Sequence, residues 1–203
     1  LTLMNENYQH PEMPEGDDVA EQIIKGIYKL ERVENDKSKL NVQLMGSGTI
    51  LNEVRKAAQI LCDDYNVSSD VYSVTSFNEL AREGQDVARW NMLNPEAEQK
   101  VPYIGQVITK DAGPAISATD YVKNYSDQVR AFIETEYRCL GTDGFGRSDS
   151  RENLRTHFEV NASYIVVASL YELAQRGDVE KKVVAEAIKR FDINAEKLNP
   201  LYA

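Results

Sequence analysis

Segments with the two-residue period of a β-strand alternate with segments of helical period along most of this chain. The strand-like segments are Leu40–Leu44, Asp70–Phe77, Tyr103–Ile108 and Tyr137–Leu140. The helical segments lie at about 50–61, 80–90, 120–133, 150–158, 162–176 and 179–190. Repeated strand–helix units favour a parallel sheet with right-handed crossovers and helices on both faces. The sequence therefore predicts an α/β fold with three layers.

The first 39 residues have a different pattern from the rest. Residues 1–4 are typical of a strand already under way, and residues 10–18 combine Pro, Gly and acidic residues as a linker does. We therefore expect a piece of a longer polypeptide. Residues 19–34 predict a helix, or a helix and a turn, with Ile23, Ile27 and Leu30 on one face. The predicted division is the end of a preceding domain and a linker over 1–18, a connecting helix and turn over 19–39, and the main domain over 40–203.

A glycine-rich segment joins the last predicted strand to the next predicted helix. It reads Gly141-Thr142-Asp143-Gly144-Phe145-Gly146-Arg147-Ser148, and the following Asp149 and Glu152 have the spacing of a capping box. Its glycines permit backbone angles and close contacts that a side chain forbids. Ligands and partners of open α/β sheets bind at the carboxyl ends of strands, where this turn is expected to lie. Local chemistry alone favours a tight connection with a helix cap over a binding site.

Composition limits the class of protein. A length of 203 residues with 42% hydrophobic residues suits one domain with a real core. The net charge of -10 argues against a general nucleic-acid surface, and it leaves open a basic protein partner or simple solubility. Cys62 and Cys139 have no CxxC spacing, so they are expected to be reduced, buried thiols in a cytoplasmic protein. The sequence contains no signal peptide and no apolar run that could span a bilayer.

Several catalytic motifs are incomplete or missing. Gly46-Ser47-Gly48 resembles the start of a dinucleotide fingerprint, but the third glycine is replaced by Leu51, so Thr49 is expected only to cap a helix. The two histidines, His10 and His157, are far apart and do not support a metal site. No Gly-x-Ser-x-Gly nucleophile elbow occurs. The sequence thus predicts no catalytic, cofactor-binding or metal-binding residue.

Several other segments are as distinctive as the glycine-rich one. They are Leu1–Tyr8, Gly26–Leu30, Ser69–Phe77, Arg89–Leu93, Val101–Ile104 and His157–Val160. Together with Gly141–Arg155, and in this order, they resemble the C-terminal domain of the homodimeric bacterial pyruvate dehydrogenases, which is transketolase C-terminal-like. A single Phe-Gly-x-Ser sequence would resemble only the wider transketolase group. The resemblance implies an α/β/α sandwich with a mainly parallel sheet of about five strands.

The resemblance also implies a parent enzyme in which other domains carry out the chemistry. Enzymes of this family decarboxylate pyruvate with thiamine diphosphate and magnesium and then acetylate a lipoyl group. The family's Gly-Asp-Gly metal motif is absent here, because Asp143-Gly144 lacks the preceding Gly and the downstream Asn. The activating glutamate belongs to the preceding pyrimidine-binding domain, which this chain is expected to leave at Tyr8. No cofactor is therefore expected in this chain alone, and it is expected to be inactive.

Because the other domains carry the catalytic groups, the resemblance implies that this domain has a role in assembly. The implied partners are the second subunit of a homodimer and the dihydrolipoamide acetyltransferase, without nucleic acid or membrane. Phe145 and Arg147 are predicted at an interface, with Asp149 and Arg151 beside them, because Phe and Arg are enriched at interface centres. It stays open whether Arg147 only binds the helix cap. Two other functions stay open as well, namely another thiamine-diphosphate-dependent enzyme of the transketolase group and a stand-alone binding or assembly domain.

Overall fold

One five-stranded sheet forms the centre of the computed structural model, which describes residues 7–203. Its strands are β1 (Ile27–Val33), β2 (Asn41–Gly46), β3 (Ser68–Val74), β4 (Ala115–Ala118) and β5 (Tyr137–Leu140). The order across the sheet is β1-β3-β2-β4-β5. The edge strand β1 is antiparallel to β3, whereas all other neighbours are parallel. The prediction of a mainly parallel sheet is confirmed. The strand predicted at 1–4 lies outside the described residues.

Helices cover both faces of this sheet. They are α1 (Val19–Lys25), α2 (Leu51–Tyr65), α3 (Phe77–Leu93), α4 (Tyr103–Val107), α5 (Lys123–Asp127), α6 (Arg151–His157), α7 (Ala162–Arg176) and α8 (Lys181–Arg190). Leu44 and Ile116 of the sheet pack in one core cluster with α2, α7 and α8. Met45 and Ala115, the neighbours of those residues, pack in the other cluster with α3 and α4. Successive strand residues point to opposite faces, so the three-layer prediction is confirmed.

The strand predicted over Tyr103–Ile108 is wrong, because this segment forms α4. Ile104 and Ile108 are four residues apart and both fully buried, which is the spacing of one helix face. The Glu83 carboxylate accepts a hydrogen bond of 3.0 Å from the amide of Tyr103 and so satisfies a free donor at the start of the helix. The third parallel strand is instead β4, which contains two alanines and a serine and lies between β2 and β5.

The segment predicted as a helix and turn over 19–34 also needs correction. Helix α1 ends at Lys25, because Gly26 takes a left-handed conformation with φ of 107°. Strand β1 follows at once and pairs with β3. Residues 19–39 therefore contain a helix and a sheet strand. The helix predicted over 120–133 is likewise only the short α5 and a 3-10 turn at Arg130–Phe132.

Two smaller expectations differ from the structure. Thr49 does not cap α2, since it lies inside a 3-10 turn at Gly48–Ile50 that precedes the helix. Cys62 and Cys139 are free thiols as predicted, but both are half-buried rather than buried. In the described part of the chain, no helix is both long enough and apolar enough to cross a bilayer.

Candidate protein interface

The connections that follow β2, β4 and β5 meet at the carboxyl edge of the sheet. Ser47 donates a hydrogen bond of 2.8 Å from its Oγ to Oγ1 of Thr119. Thr49 donates one of 2.8 Å to Oδ2 of Asp120, and Thr142 donates one of 2.5 Å to the carbonyl of the same Asp120. Side chains of the connections after β2 and β5 thus both bind the connection after β4, and these bonds order this edge of the sheet.

The glycine-rich segment begins packed tightly against the connection after β4. A Cβ on Gly141 would lie 2.6 Å from the carbonyl oxygen of Tyr121, so only glycine fits there without a shift. The amide of Thr142 donates to that same oxygen at 2.9 Å. Asp143 accepts a hydrogen bond of 2.9 Å from the amide of Lys123 at Oδ1. The start of the segment is therefore fixed by backbone contacts and by the Asp143 carboxylate.

The middle of the segment packs against the end of the chain. Gly144 has a φ of 97°, and a Cβ there would lie 2.3 Å from the carbonyl oxygen of Pro200. Pro200–Tyr202 forms a 3-10 turn in which Asn199 accepts a hydrogen bond of 2.9 Å from the amide of Leu201. This position requires both a left-handed backbone conformation and room for a second segment close by. Glycine satisfies both requirements, because it has no Cβ.

The residues predicted at the interface all lie on this segment or directly after it. The side chain of Phe145 is 80% exposed, and it is flanked by glycines on both sides. Arg147 is exposed and makes no hydrogen bond or ion pair with any of residues 7–203. Arg151 is exposed at the first position of α6. Arg147 therefore makes no bond to the helix cap within the described residues, contrary to the alternative in which it binds only that cap.

The helix cap itself involves Asp149 differently from the predicted capping box. The N-cap of α6 is Ser150, whose Oγ accepts a hydrogen bond of 3.3 Å from the amide of Asn153. Asp149 uses Oδ1 to accept bonds from the Ser150 amide at 2.7 Å and from Nδ2 of Asn153 at 2.8 Å. These hydrogen bonds lower the pKa of Asp149 below its ordinary value. Asp149 therefore stays ionised at neutral pH and orders the turn before α6.

Four further apolar residues at this edge were missed by sequence reasoning. They are Tyr121, Val122, Leu201 and Tyr202, all exposed. Tyr121 and Val122 belong to the connection that contacts Gly141, and Leu201 lies against Gly144. With Phe145 they form what we name the carboxyl-edge surface. Large apolar side chains grouped on one surface are typical of protein–protein contacts.

Two cavities open at the same edge. The first, of about 280 Å³, is named the loop cavity; its lining includes Gly144, Gly146, Arg147, Leu154, Phe158 and Val160. The second, of about 480 Å³, lies between the connections after β2 and β4, and hydroxyls of Ser47 and Thr119 line it together with Asp120. None of the described residues lining the second cavity is basic. The Asp120 carboxylate there disfavours a phosphate group, in agreement with the incomplete glycine fingerprint.

Metal-ligating side chains do not gather in the described part of the chain. Within residues 7–203, no group of three His, Cys, Asp or Glu has the arrangement of a metal site. His10 is exposed, and His157 lies half-buried at the end of α6.

A mainly parallel sheet covered by helices agrees with the family comparison. The sequence model of the transketolase-like TK C-terminal domain matches residues 26–161, and the chain belongs to this family. The matched range begins directly before β1.

Particular relatives share the whole length of the chain. The pyruvate dehydrogenase E1 component of Escherichia coli strain K12 is 62% identical over 204 residues, which cover 100% of this chain and 22% of that protein. The pyruvate dehydrogenase E1 component of Haemophilus influenzae is 56% identical and has 23% of its length covered. The chain thus spans about a fifth of the length of these curated relatives. Among solved structures, transketolase from Leishmania mexicana aligns with a TM-score of 0.49 and 17% identity over 76% of this chain and 19% of that chain.

Proposed function

We propose that this chain is the assembly domain at the C-terminal end of a pyruvate dehydrogenase that depends on thiamine diphosphate. The observation that carries the proposal is the 62% identity to an E1 component across the full length of the chain. In this role the chain supplies no catalytic residue. Its carboxyl-edge surface, together with the neighbouring Arg147, Asp149 and Arg151, contacts another domain or subunit of the parent enzyme.

The proposed parent is an oxidoreductase of the cytoplasm. It decarboxylates pyruvate and passes the acetyl group to a lipoyl group of the dihydrolipoamide acetyltransferase. Thiamine diphosphate and magnesium are held by its other domains, and its second subunit completes a homodimer. Residues 1–18 are proposed to end the preceding pyrimidine-binding domain. We place the start of the present domain at Gly26 rather than at residue 40, because β1 is part of the sheet.

Exposed aromatic residues support the interface part of this proposal. Phe145 and Tyr202 are 80% and 74% exposed at one edge of the domain. Each aromatic side chain of this kind removes about 150–250 Å² from water when a partner covers it. Residues of this type, together with Arg, carry a disproportionate share of binding energy in interfaces. A surface of this composition is expected to be covered in the parent enzyme.

Activity of the longer polypeptide tests the enzymatic part. The protein encoded by the whole gene is expected to reduce an artificial electron acceptor in the presence of pyruvate, thiamine diphosphate and magnesium. Turnover of sugar phosphates instead of pyruvate would favour another enzyme of the transketolase group. The isolated chain is expected to show no magnesium-dependent heat of binding when titrated with thiamine diphosphate. Micromolar binding to the isolated chain would contradict the proposal.

A double substitution tests the interface part. Phe145→Ala with Arg147→Ala is expected to weaken assembly of the longer polypeptide by a few kcal/mol, as hot-spot losses do, and to leave the melting temperature of the isolated chain nearly unchanged. Ile24→Ala is the matched control, since Ile24 is 78% exposed on α1 and lies outside the carboxyl-edge surface. Loss of stability in the isolated chain without weaker assembly would show that the segment has only an internal role.

A further inference from the structure

The order of the strands reverses direction in the middle of the sheet. From β2 the chain passes through α2 to β3 on one side, and from β3 it returns to β4 on the other side of β2. Helix α2, which follows β2, packs in the first core cluster, whereas Tyr125 of α5, which follows β4, packs against the second. The connections after β2 and β4 therefore leave opposite faces of the sheet. Open α/β sheets bind small ligands in the crevice that such a reversal opens at the carboxyl ends of the strands.

The cavity of about 480 Å³ between these two connections occupies that crevice, and we name it the switch-point cavity. Residues that follow β2 and β4 line it, together with the end of β3. Its volume lies in the range of about 300–1,000 Å³ that is typical of small-molecule sites. Gly48 is exposed there with a φ of 57°, and a Cβ on it would meet none of residues 7–203 within 4 Å. A ligand in the cavity can therefore approach the backbone at Gly48 closely.

Two polar side chains of the switch-point cavity are suited to accept hydrogen bonds from a ligand. Ser47 donates its own proton to Thr119, so it presents the lone pairs of its Oγ to a ligand. Asp120 contributes a carboxylate, which accepts several hydrogen bonds when ionised, and Thr49 orients it through the bond of 2.8 Å to Oδ2. None of the described residues in the lining is basic. This chemistry favours a ligand that has several hydroxyl donors and no negative charge.

Aromatic rings form one wall of the same cavity. The rings of Tyr121 and Tyr125 have their centroids 4.5 Å apart and are tilted by 37°. Phe77 packs edge-on against Tyr125 at 5.5 Å and so ties the pair to the second core cluster. Tyr121 remains 45% exposed. A supported ring with an open face is a platform on which a flat base can stack, and stacking of this kind does not require a particular base.

We propose that the switch-point cavity binds an uncharged ribonucleoside. The neighbouring hydroxyls of the ribose donate to the Asp120 carboxylate and to Oγ of Ser47, and the base stacks on Tyr121. Acidic side chains hold ribose hydroxyls in the same way in dinucleotide-binding α/β folds. The glycine fingerprint that binds phosphate in those folds is incomplete here, so the chemistry fits a nucleoside rather than a nucleotide. This ligand site goes beyond the assembly role proposed above.

Calorimetric titration of the full 203-residue chain with adenosine tests the proposal. Saturable binding of one adenosine per chain is expected. We expect 2′-deoxyadenosine to bind at least tenfold more weakly, because it lacks one of the two neighbouring hydroxyls. Adenosine 5′-monophosphate is also expected to bind at least tenfold more weakly, because its phosphate lies near the Asp120 carboxylate. The absence of saturable binding, equal affinity for the deoxynucleoside, or tighter binding of the monophosphate would each overturn the proposal.

Substitutions separate the roles of the carboxylate and the ring. Asp120→Asn keeps an oxygen acceptor for Thr49, and it is expected to weaken adenosine at least tenfold and to bring the affinities for adenosine and 2′-deoxyadenosine together. Tyr121→Ala is expected to weaken adenosine at least tenfold, whereas Tyr121→Phe keeps the ring and is expected to retain binding. Tyr202→Ala is the control, because it removes an exposed tyrosine at the same edge of the sheet that does not line the cavity. Equal effects of Tyr121→Ala and Tyr202→Ala, or an unchanged preference for adenosine in Asp120→Asn, would refute the assigned contacts.

Amide resonances of the unsubstituted chain locate the ligand without any risk of misfolding. Adenosine is expected to shift the backbone amide signal of Gly48 in a nitrogen–proton correlation spectrum. The amide of Gly146, which lines the loop cavity instead, is expected to stay unchanged. A shift at Gly146 without one at Gly48 would place the ligand elsewhere and overturn the proposal. Pyruvate turnover by the longer polypeptide tests the proposed function separately, so that function stands or fails independently of adenosine binding.

Discussion

Replacement of the buried Asp70 by Asn is expected to lower the free energy of unfolding by about 2 kcal/mol at pH 7. Asp70 lies on β3, and three donors reach its carboxylate. Lys29 Nζ is 2.5 Å from Oδ1, Arg32 Nη1 is 3.0 Å from the same oxygen, and Asn41 Nδ2 is 3.0 Å from Oδ2. The carboxylate therefore joins β1, β2 and β3 near the amino-terminal end of the sheet.

A bulge in β1 makes this arrangement possible. Residues three apart in a regular strand point to opposite faces. The pairing of β1 with β3 shifts by one residue between Lys29 and Glu31, so Leu30 is the extra residue. An extra residue restores the alternation, and Lys29 and Arg32 can both reach the face on which Asp70 lies. The bulge thus explains why one carboxylate can serve two cations of an edge strand.

The expected loss of unfolding free energy follows from the interactions that a neutral Asn side chain cannot make. A hydrogen bond to a charged group contributes about 1.5–3 kcal/mol, against about 0.5–1.5 kcal/mol for a neutral one, so two weakened bonds account for most of the loss. The amide nitrogen of Asn also faces the Asn41 donor, which leaves one polar group without an acceptor. Lys29 and Arg32 are partly exposed, and water replaces part of what they lose. These opposing effects keep the expected loss at about 2 kcal/mol rather than at the larger value of a fully buried pair.

Urea unfolding at several pH values is the assay. Burial opposes ionisation of Asp70, but hydrogen bonds from Lys29, Arg32 and Asn41 outweigh it and hold the carboxyl pKa below its ordinary value of 3.8. The group therefore contributes stability above pH 3.8, and the contribution is lost as the pH falls through the lower pKa of the folded state. The difference between wild type and Asp70→Asn is expected to shrink below about pH 4.

The control for this experiment is an exposed ion pair. Glu186→Gln removes the partner of Lys182 at 3.6 Å on α8, where both side chains are exposed, and is expected to cost at most about 0.5 kcal/mol. The reasoning is refuted if Asp70→Asn costs no more than this control at pH 7. It is also refuted if the difference from wild type is the same at pH 3 as at pH 7.

Three further predictions concern packing, capping and the linker. Gly84→Ala is expected to lower stability in denaturant titration by about 1–3 kcal/mol in spite of better helix propensity, because the new Cβ would lie 2.4 Å from the Phe132 ring; an unchanged midpoint would contradict this. Ser150→Ala is expected to cost about 1 kcal/mol and Glu152→Ala almost nothing in thermal melts, and a larger loss from Glu152→Ala than from Ser150→Ala would favour the capping box instead. Limited proteolysis is expected to cut first within His10–Asp18, which has no helix or strand, and early cleavage within β3 would argue against the core.

Strands that are rich in branched or aromatic residues were predictable from the sequence. Tyr137–Leu140 matches β5 in full, and Leu40–Leu44 overlaps β2 with a shift at each end. Strand β1 was predicted as a helix because of its bulge. The extra residue breaks the two-residue period and places Ile27 and Leu30 at helical spacing. Strand β4 was not predicted, because its small residues have low strand propensity. It is stabilised instead by burial between two strands and two helical layers.

The candidate interface was predictable only in its local part. Phe145 and Arg147 stand out because glycines surround them in the sequence. Leu201 and Tyr202 carry no such signal, since their position depends on the contact between Gly144 and Pro200. Tyr121 and Val122 likewise reach the surface through the contact of their connection with Gly141. Contacts over such distances along the chain are set by the whole fold, so no local pattern reveals them.

The three glycines of the segment have different physical roles, although they look alike in the sequence. Gly141 permits a close approach to the carbonyl of Tyr121, and Gly144 permits both a left-handed backbone and the contact with Pro200. A Cβ on Gly146 would meet nothing within 4 Å among residues 7–203. Packing inside the domain thus accounts for the first two glycines and not for the third. Gly146 lies between Phe145 and Arg147, on the surface for which we propose a partner, and a contact with that partner would give the third glycine a role.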